Sequence, residues 1–239
     1  MIPLHHILFL DIETVPAYAD FDGLPEDWKG LWEKKAEQLL RNRADDTADS
    51  IYERAGIYAE FGRIICISCG IFTGPVADRK LVIKSFYGDD EKELLQAFSE
   101  MLRKWEADGT RYLCAHNGKE FDYPYLSRRM IINQVPLPQI LQTSGKKPWE
   151  LTHLDTMELW KFGDFKSYTS LNLLAHALSI PTPKDDIDGS MVSEVYWKNK
   201  DLERIVVYCQ KDVVTTARVY QRLHGEAAIA DDRIEIKEG

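Results

Sequence analysis

The stretch Ile7-Leu8-Phe9-Leu10-Asp11-Ile12-Glu13-Thr14 constrains the fold more than any other part of the chain. It opens with four apolar residues, too few for a helix and apolar enough for a buried strand. Two carboxylates follow at i and i+2, a spacing that puts both on one face of a strand. A buried strand that ends this way supplies half of a metal site, because hard divalent cations take carboxylate oxygens. A strand that simply leaves the core with two solvated acids would read the same. Asp89/Glu91 and Asp201/Glu203 share the spacing but follow no apolar run.

The remaining composition narrows the class. A chain of 239 residues suits one domain with insertions, or at most two. Its hydrophobic fraction of 44% and charged fraction of 29% are those of a soluble globular protein. No apolar run approaches a membrane span. The apolar run near the N-terminus lacks a basic flank and stops at Asp11, so a signal peptide is not expected and a cytoplasmic location is. The net charge of -9 argues against a passive nucleic-acid binder. Acids gathered around metal ions would be consistent with it, because bound ions reverse the local field. Cys66, Cys69, Cys114 and Cys209 read as core thiols in a reducing compartment. Cys66 and Cys69 form a lone C-x-x-C in a strand-like run, where i and i+3 face opposite ways and cannot share a zinc.

Periodicity predicts the order of elements. After Val15-Pro16, residues 17–60 read as a helical insertion. A helix over 25–43 has Trp28, Leu31, Trp32, Ala36, Leu39 and Leu40 on one stripe. A second, shorter helix is expected over 47–58. Strands over 63–72 and 81–87 flank a Gly74-Pro75 turn and suggest an antiparallel pair. An amphipathic helix over 90–105, a strand over 111–115, a helix over 122–133, a polar loop over 142–150 and a short strand over 151–154 follow. Helices close the pattern near 156–160, 170–178 and 201–223. Residues 1–224 then form a single domain, and 225–239 a polar, frayed tail. Three strands followed by alternating strands and helices make a mixed α/β sheet flanked by helices.

Two further signals carry chemistry. In Cys114-Ala115-His116-Asn117-Gly118-Lys119-Glu120-Phe121-Asp122 a strand ends, Asn-Gly turns, and an acid lands where a helix begins. Asp122 reads as an N-cap. It also reads as a ligand position, since α/β sheets bind ligands beyond their strand ends. In Tyr208-Cys209-Gln210-Lys211-Asp212 the tyrosine and aspartate share a helix face at i, i+4. An acid beside the apolar stripe of Ile205, Val206, Val213, Val214, Ala217 and Tyr220 needs a partner. Either a metal ion or a basic side chain would serve.

Together, in this order, the three signals resemble the motifs of the DEDD superfamily of 3'-5' exonucleases, tyrosine subtype. Those motifs are D-x-E, N-x3-F-D and Y-x3-D, here Asp11-Ile12-Glu13, Asn117 to Asp122, and Tyr208 to Asp212. The histidine subtype would need histidine at position 207, which is valine. The segment from Leu154-Asp155-Thr156 through Tyr168-Thr169-Ser170-Leu171 is similar to the proofreading domain of family-B DNA polymerases, and stand-alone bacterial exonucleases related to it are the nearest group. The resemblance runs from about residue 5 to 224. It implies a ribonuclease-H-like fold: three antiparallel strands followed by parallel strands, with the helical insertion after the first strand.

The resemblance also implies a reaction and its cofactors. Asp11, Glu13, Asp122 and Asp212 would hold two Mg2+ or Mn2+ ions, roughly 3.5–4 Å apart in such sites. Asp11 would bridge both. Tyr208 would orient the attacking water through a hydroxyl that stays protonated at its usual pKa of about 10. The expected substrate is the 3' end of nucleic acid, single-stranded DNA first. RNA on the same site, or a non-catalytic nucleic-acid-binding subunit, are the alternatives. Asn117 and Phe121, from the second motif, are candidate substrate contacts, as are Lys161, Lys166 and Tyr168, because residues 161–168 interleave cations and aromatics as single-strand grooves do. Phe162 and Phe165 read equally as core. Arg128 and Arg129 could meet phosphate or lie on the surface. Asp155 could stand behind the metal acids as a supporting group, but with Glu158 it is also spaced as a capping box, the favoured reading.

Overall fold

The computed structural model describes residues 2–41, 46–164, 168–181 and 187–237. The apolar run becomes the first strand, β1 (Ile7–Pro16). It pairs antiparallel with β2 (Gly62–Thr73), which pairs antiparallel with β3 (Lys80–Tyr87). On its other edge β1 pairs parallel with β4 (Tyr112–Ala115), and β4 with β5 (Leu154–Asp155). A sixth strand, β6 (Ile234–Lys237), lies parallel to β3. The sheet order is β5-β4-β1-β2-β3-β6, so β1 is central. This mixed sheet is the architecture expected from the three-strand meander followed by parallel strands.

The pleat sorts β1 onto two cores. Leu8, Leu10 and Ile12 pack with Leu95, Phe98 and Leu126. The latter come from α2 (Glu91–Glu106) and α3 (Asp122–Ile132). Ile7 and Phe9 face the other way, toward α7 (Leu202–Leu223), whose Val213, Ala217 and Tyr220 cover them. Phe9 meets Tyr220 and Phe72 edge-on at 5.6 and 5.7 Å between centroids. Continued by two and four residues, the Phe9 face presents Asp11 and Glu13. Alternation thus delivers both acids to the side of α7.

Two local features set how closely the pieces approach. A bulge interrupts the β1/β2 register between Glu13 and Thr14, so the sheet changes course just past the second acid. Beyond it, Ile64 N–H donates to Glu91 Oε1 at 2.7 Å, and the same carboxylate takes Arg129 Nε at 2.8 Å. On β2, a Cβ at Gly70 would lie 2.7 Å from Ile83 Cδ1 and 3.0 Å from Val213 Cγ1. Glycine there lets α7 settle on the sheet next to Asp212.

Several expectations shift. The insertion carries α1 (Glu26–Leu39) and a 3-10 turn over Tyr52–Ile57 rather than a second α-helix. Within α1, Trp32 and Ala36 are buried, whereas Leu31 is 50% exposed, so the apolar stripe is narrower than its spacing suggests. Trp32 Nε1 donates to Ala48 O at 2.7 Å and closes a small core of the insertion's own. The tail is not frayed over its described residues, 225–237: Ile229 is buried and held by Gln221 and Arg218, and the chain then adds β6. Short helices α4 (Thr156–Lys161), α5 (Leu171–Ala177) and α6 (Val192–Glu194) complete the fold. A single π-helical turn over Val195–Asn199 follows α6. Among the described residues no helix is long and apolar enough to cross a membrane.

Candidate active site

Three elements far apart in sequence converge beyond the middle of β1. Asp11 and Glu13 come from the strand, Asp122 opens α3, and Tyr208 and Asp212 lie one turn apart on α7. Glu13 and Asp122 are buried, at 7% and 4% exposure. Burial, followed by the negative charge of Glu13 and then of Asp212 and Asp122, pushes the Asp11 carboxyl well above the usual carboxylate range. Burial does the same to Glu13, assisted by Asp212, Cys66 and Asp122. Asp122 is pushed up to about 7, mostly by burial, while backbone N–H groups of Asp122 itself and Ile12 pull the other way. Four acids within electrostatic reach of one another, three of them resisting ionisation, describe a place where a positive charge would be stabilising.

Tyr208 belongs to the same cluster. Burial, then the charges of Asp212, Glu13 and Asp11, drive its phenol far above the ordinary value, and its hydroxyl hydrogen-bonds Asp212. The group therefore remains a protonated hydroxyl at any working pH. Cys209, its neighbour, was expected only as a core thiol. It is buried, as are the other three free cysteines, yet its Sγ also donates to the backbone carbonyl of Asp11 at 3.4 Å.

The residues fit a divalent cation. Asp11 Oδ2 is buried with no hydrogen-bond partner. A buried carboxylate oxygen left unpaired is costly, and a cation is the partner that would remove both the cost and the repulsion. Among the described residues, Asp11, Glu13 and Cys209 bring donor atoms within 4.8 Å of one another. Carboxylate oxygens dominate the set, which suits a hard ion of the Mg2+ or Mn2+ class.

The turn before Asp122 is built around a residue that the capping-box reading undervalued. Asp155 is buried, and its Oδ1 accepts from Met157 N at 2.9 Å, capping α4. The same Oδ1 accepts from Asn117 N at 3.0 Å, and Oδ2 from Lys119 N at 3.1 Å. Glu158 turns away to Lys119 Nζ at 2.6 Å, so no reciprocal box forms. Asn117 is left-handed at φ 63. A Cβ on Gly118 would lie 2.4 Å from the Ala115 Cβ, so the turn needs glycine there. His116 bridges Thr156 Oγ1 at 2.9 Å and Thr169 O at 2.8 Å, tying the segment after Tyr168 to the same turn. The signal for His116 and Asp155 was available: both stand at the carboxyl ends of parallel strands, where α/β sheets gather ligand-binding groups.

The expected substrate contacts divide. Asn117 Oδ1 is buried with no partner. Phe121 is half-buried, its ring packed on Tyr125 at 5.3 Å. Lys161 is half-buried at the end of α4. Phe162 is no core residue: it is 85% exposed, with left-handed backbone at φ 44. Tyr168 is exposed as well, and Lys166 lies outside the described residues, as does Phe165. Arg128 is exposed, but Arg129 is buried in a pair with Glu91 and donates to Ala59 O at 2.8 Å, which removes it from any surface role. Trp149, unremarked in the polar loop, is 78% exposed with Lys147 Nζ 5.2 Å from its ring.

Fold and acids together define a class, the ribonuclease-H-like nucleases. The structure resembles that of the family B DNA polymerase from the hyperthermophilic archaeon Pyrobaculum calidifontis, with a TM-score of 0.50 and 14% identity over 97% of this chain and 28% of that one. In sequence it is 24% identical over 204 residues to a DNA polymerase of Pyrococcus glycovorans, covering 79% of this chain and 25% of the polymerase. The chain thus spans about a quarter of the length of these polymerases. Residues 57–235 match the family described as "Predicted 3'-5' exonuclease related to the exonuclease domain of PolB", and the chain belongs to that family. The match contains Asp122, Tyr208 and Asp212 and reaches into β6; Asp11 and Glu13 lie before it and join the site through the fold.

Proposed function

We propose that the protein is a metal-dependent 3'-5' exonuclease that trims single-stranded DNA from its 3' end. The observation that carries this reading is the convergence of Asp11, Glu13, Asp122 and Asp212 with Tyr208, from β1, α3 and α7, around an oxygen that has no partner. The four carboxylates would hold two Mg2+ or Mn2+ ions. When bound, such ions supply an activated water and a stabilised leaving 3' oxygen.

The chain's own groups do the positioning. Tyr208, kept protonated by burial and by its acidic surroundings, would hold the attacking water at its hydroxyl oxygen. Asp155 and Gly118 fix the turn from which Asp122 projects, so the acid's place is set before any ligand arrives. Tyr168 and Phe162 offer exposed rings on which terminal bases could stack, at roughly 1–3 kcal/mol per base. Asn117, Phe121, Lys161 and Lys166 remain the proposed flanking contacts, with Trp149 added. The relatives named above are DNA polymerases, which favours DNA over RNA.

A gel with 5'-labelled single-stranded, blunt and 3'-recessed DNA, and RNA of the same sequence, tests the proposal with Mg2+, Mn2+ or chelator. Stepwise shortening of the DNA strand, abolished by chelator and slowed greatly by a 3'-phosphate, is the expected result. Cuts within a circular single strand would overturn the exonuclease reading. Preference for the RNA would move the activity to the alternative substrate, and binding without cleavage would leave only a nucleic-acid-binding role.

A further inference from the structure

The donor set at the centre of the site is mixed. Cys209 Sγ shares a 4.8 Å neighbourhood with one oxygen each of Asp11 and Glu13. Zinc–sulfur bonds of about 2.3 Å and zinc–oxygen bonds of about 2.0–2.2 Å put donors on one tetrahedral ion roughly 3.6 Å apart, a separation that lies inside that neighbourhood. The thiol is held in place rather than free to turn away. It is fully buried on α7, packed with Cys66 and Val206, and bonded to the Asp11 backbone carbonyl. Beside it, Asp11 Oδ2 is buried without a hydrogen-bond partner.

Donor chemistry then decides which ion profits. Mg2+ seeks oxygen ligands and gains nothing from sulfur, whereas zinc-class ions bind thiolate and carboxylate together. We propose that Cys209 completes, with Asp11 and Glu13, a site for a thiophilic divalent cation of the zinc class. Such an ion would displace the hard ion and hold the centre in an inactive form. The inference rests on reading Asp11 and Glu13 as metal acids. On binding, the sulfur–metal bond forms as the S–H proton leaves to solvent, with no change of oxidation state. The inactivation has a simple origin: an ion seated against buried sulfur takes oxygens from Asp11 and Glu13 that the hard ions would need.

The test is spectroscopic and requires no nuclease activity. The reduced, metal-free full chain is titrated with Cd2+ or Co2+, and thiolate-to-metal charge-transfer absorption is followed in the near ultraviolet. The wild type should develop a band saturating near one ion per chain; Mg2+ should produce none. Cys209→Ser should lose the band. Asp11→Asn combined with Glu13→Gln should lose it too, although every thiol is retained, so a misfolded serine variant cannot decide the matter alone. In parallel, Zn2+ should inhibit Mg2+-supported cleavage by the wild type. A band that survives either variant, or its absence in the wild type, overturns the proposal. Cleavage with Mg2+ but no band would sink this inference and leave the proposed function standing. A band without any cleavage would do the reverse.

Discussion

At the scale of single residues, Tyr208 and Asp212 separate two kinds of contribution. They sit one helical turn apart and are bonded to each other. Loss of a metal acid removes an ion, whereas loss of the phenolic hydroxyl removes one hydrogen bond while the ring still packs. Positioning or proton-transfer help of that kind is worth about 10²–10⁴-fold. Tyr208→Phe should therefore keep its metal-dependent melting shift and lose turnover within that range. Asp212→Asn should lose both. Single-turnover cleavage and melting curves measure the two effects; a wild-type rate in Tyr208→Phe would make the hydroxyl a bystander. The raised carboxyls also fix a pH dependence. Asp122 ionises near 7 when folded and near 3.8 when unfolded, and Asp11 and Glu13 are shifted in the same direction. The folded metal-free chain thus holds protons that the unfolded chain has released. This contribution is full below the unfolded values and is lost as pH rises through the folded ones. His153, buried and lowered to about 4 chiefly by burial, acts oppositely, losing stability as pH falls below about 6.5. Between about pH 6.5 and 8.5 this histidine effect fades and the acids set most of the slope, joined toward pH 8.5 by the thiols of Cys69, Cys114 and Cys209, which burial raises and which act in the same direction. The metal-free melting temperature should fall across that window, and Asp11→Asn should flatten the fall. A rising melting temperature there would contradict the repulsion on which the site depends.

At the scale of elements, the ion pair of Glu91 and Arg129 joins α2 to α3 beside the bulge. Glu91 also takes the Ile64 N–H and Asn133 Nδ2, and Arg129 reaches Ala59 O in the insertion. Every oxygen and most of the guanidinium are engaged, in a pair almost wholly buried. Removing one partner strands the other charge, which typically costs about 3–5 kcal/mol. Arg129→Met should show that loss in denaturant unfolding, and a loss under 1 kcal/mol would mean the pair is dispensable. Much of this level was legible in the chain. β1 to β4 and helices α2, α3 and α7 follow from apolar periodicity and caps such as Asp90, whose carboxylate accepts Glu93 N at 3.0 Å. Arg129 was misread because a cation at a helical surface spacing carries no mark of a carboxylate 38 positions earlier in sequence. Asp155 was read as a cap, which it is, while its second task depends on where β4 ends in space.

At the scale of the whole molecule, the site is an assembly of distant pieces, and its parts were readable to different degrees. The Asp11/Glu13 pair was legible because strand alternation is local. The thiol of Cys209 was not, since its approach to Asp11 arises only when α7 lies across β1. Polar composition hid the last strand: a four-residue edge strand needs little apolar surface when β3 supplies its hydrogen bonds. Truncation after Gly225 tests this. It removes buried Ile229, worth about 1.5–3 kcal/mol by itself, and Glu226, which pairs with Arg79 at 2.8 Å. At about 2–4 °C per kcal/mol for a chain this size, the melting temperature should fall by several degrees. An unchanged value would mean the tail adds nothing to the fold.

The most direct measurement of the central claim, that acids from β1, α3 and α7 hold metal as one unit, is the melting temperature of the chain titrated with Mn2+. An ion at 100 times its dissociation constant contributes about 2.7 kcal/mol, or roughly 5–10 °C here. The wild type should show that rise. A variant carrying Asp11→Asn and Asp212→Asn should melt higher than the wild type without metal and gain nothing when metal is added. An equal rise in the double variant would place the ions elsewhere and contradict the account.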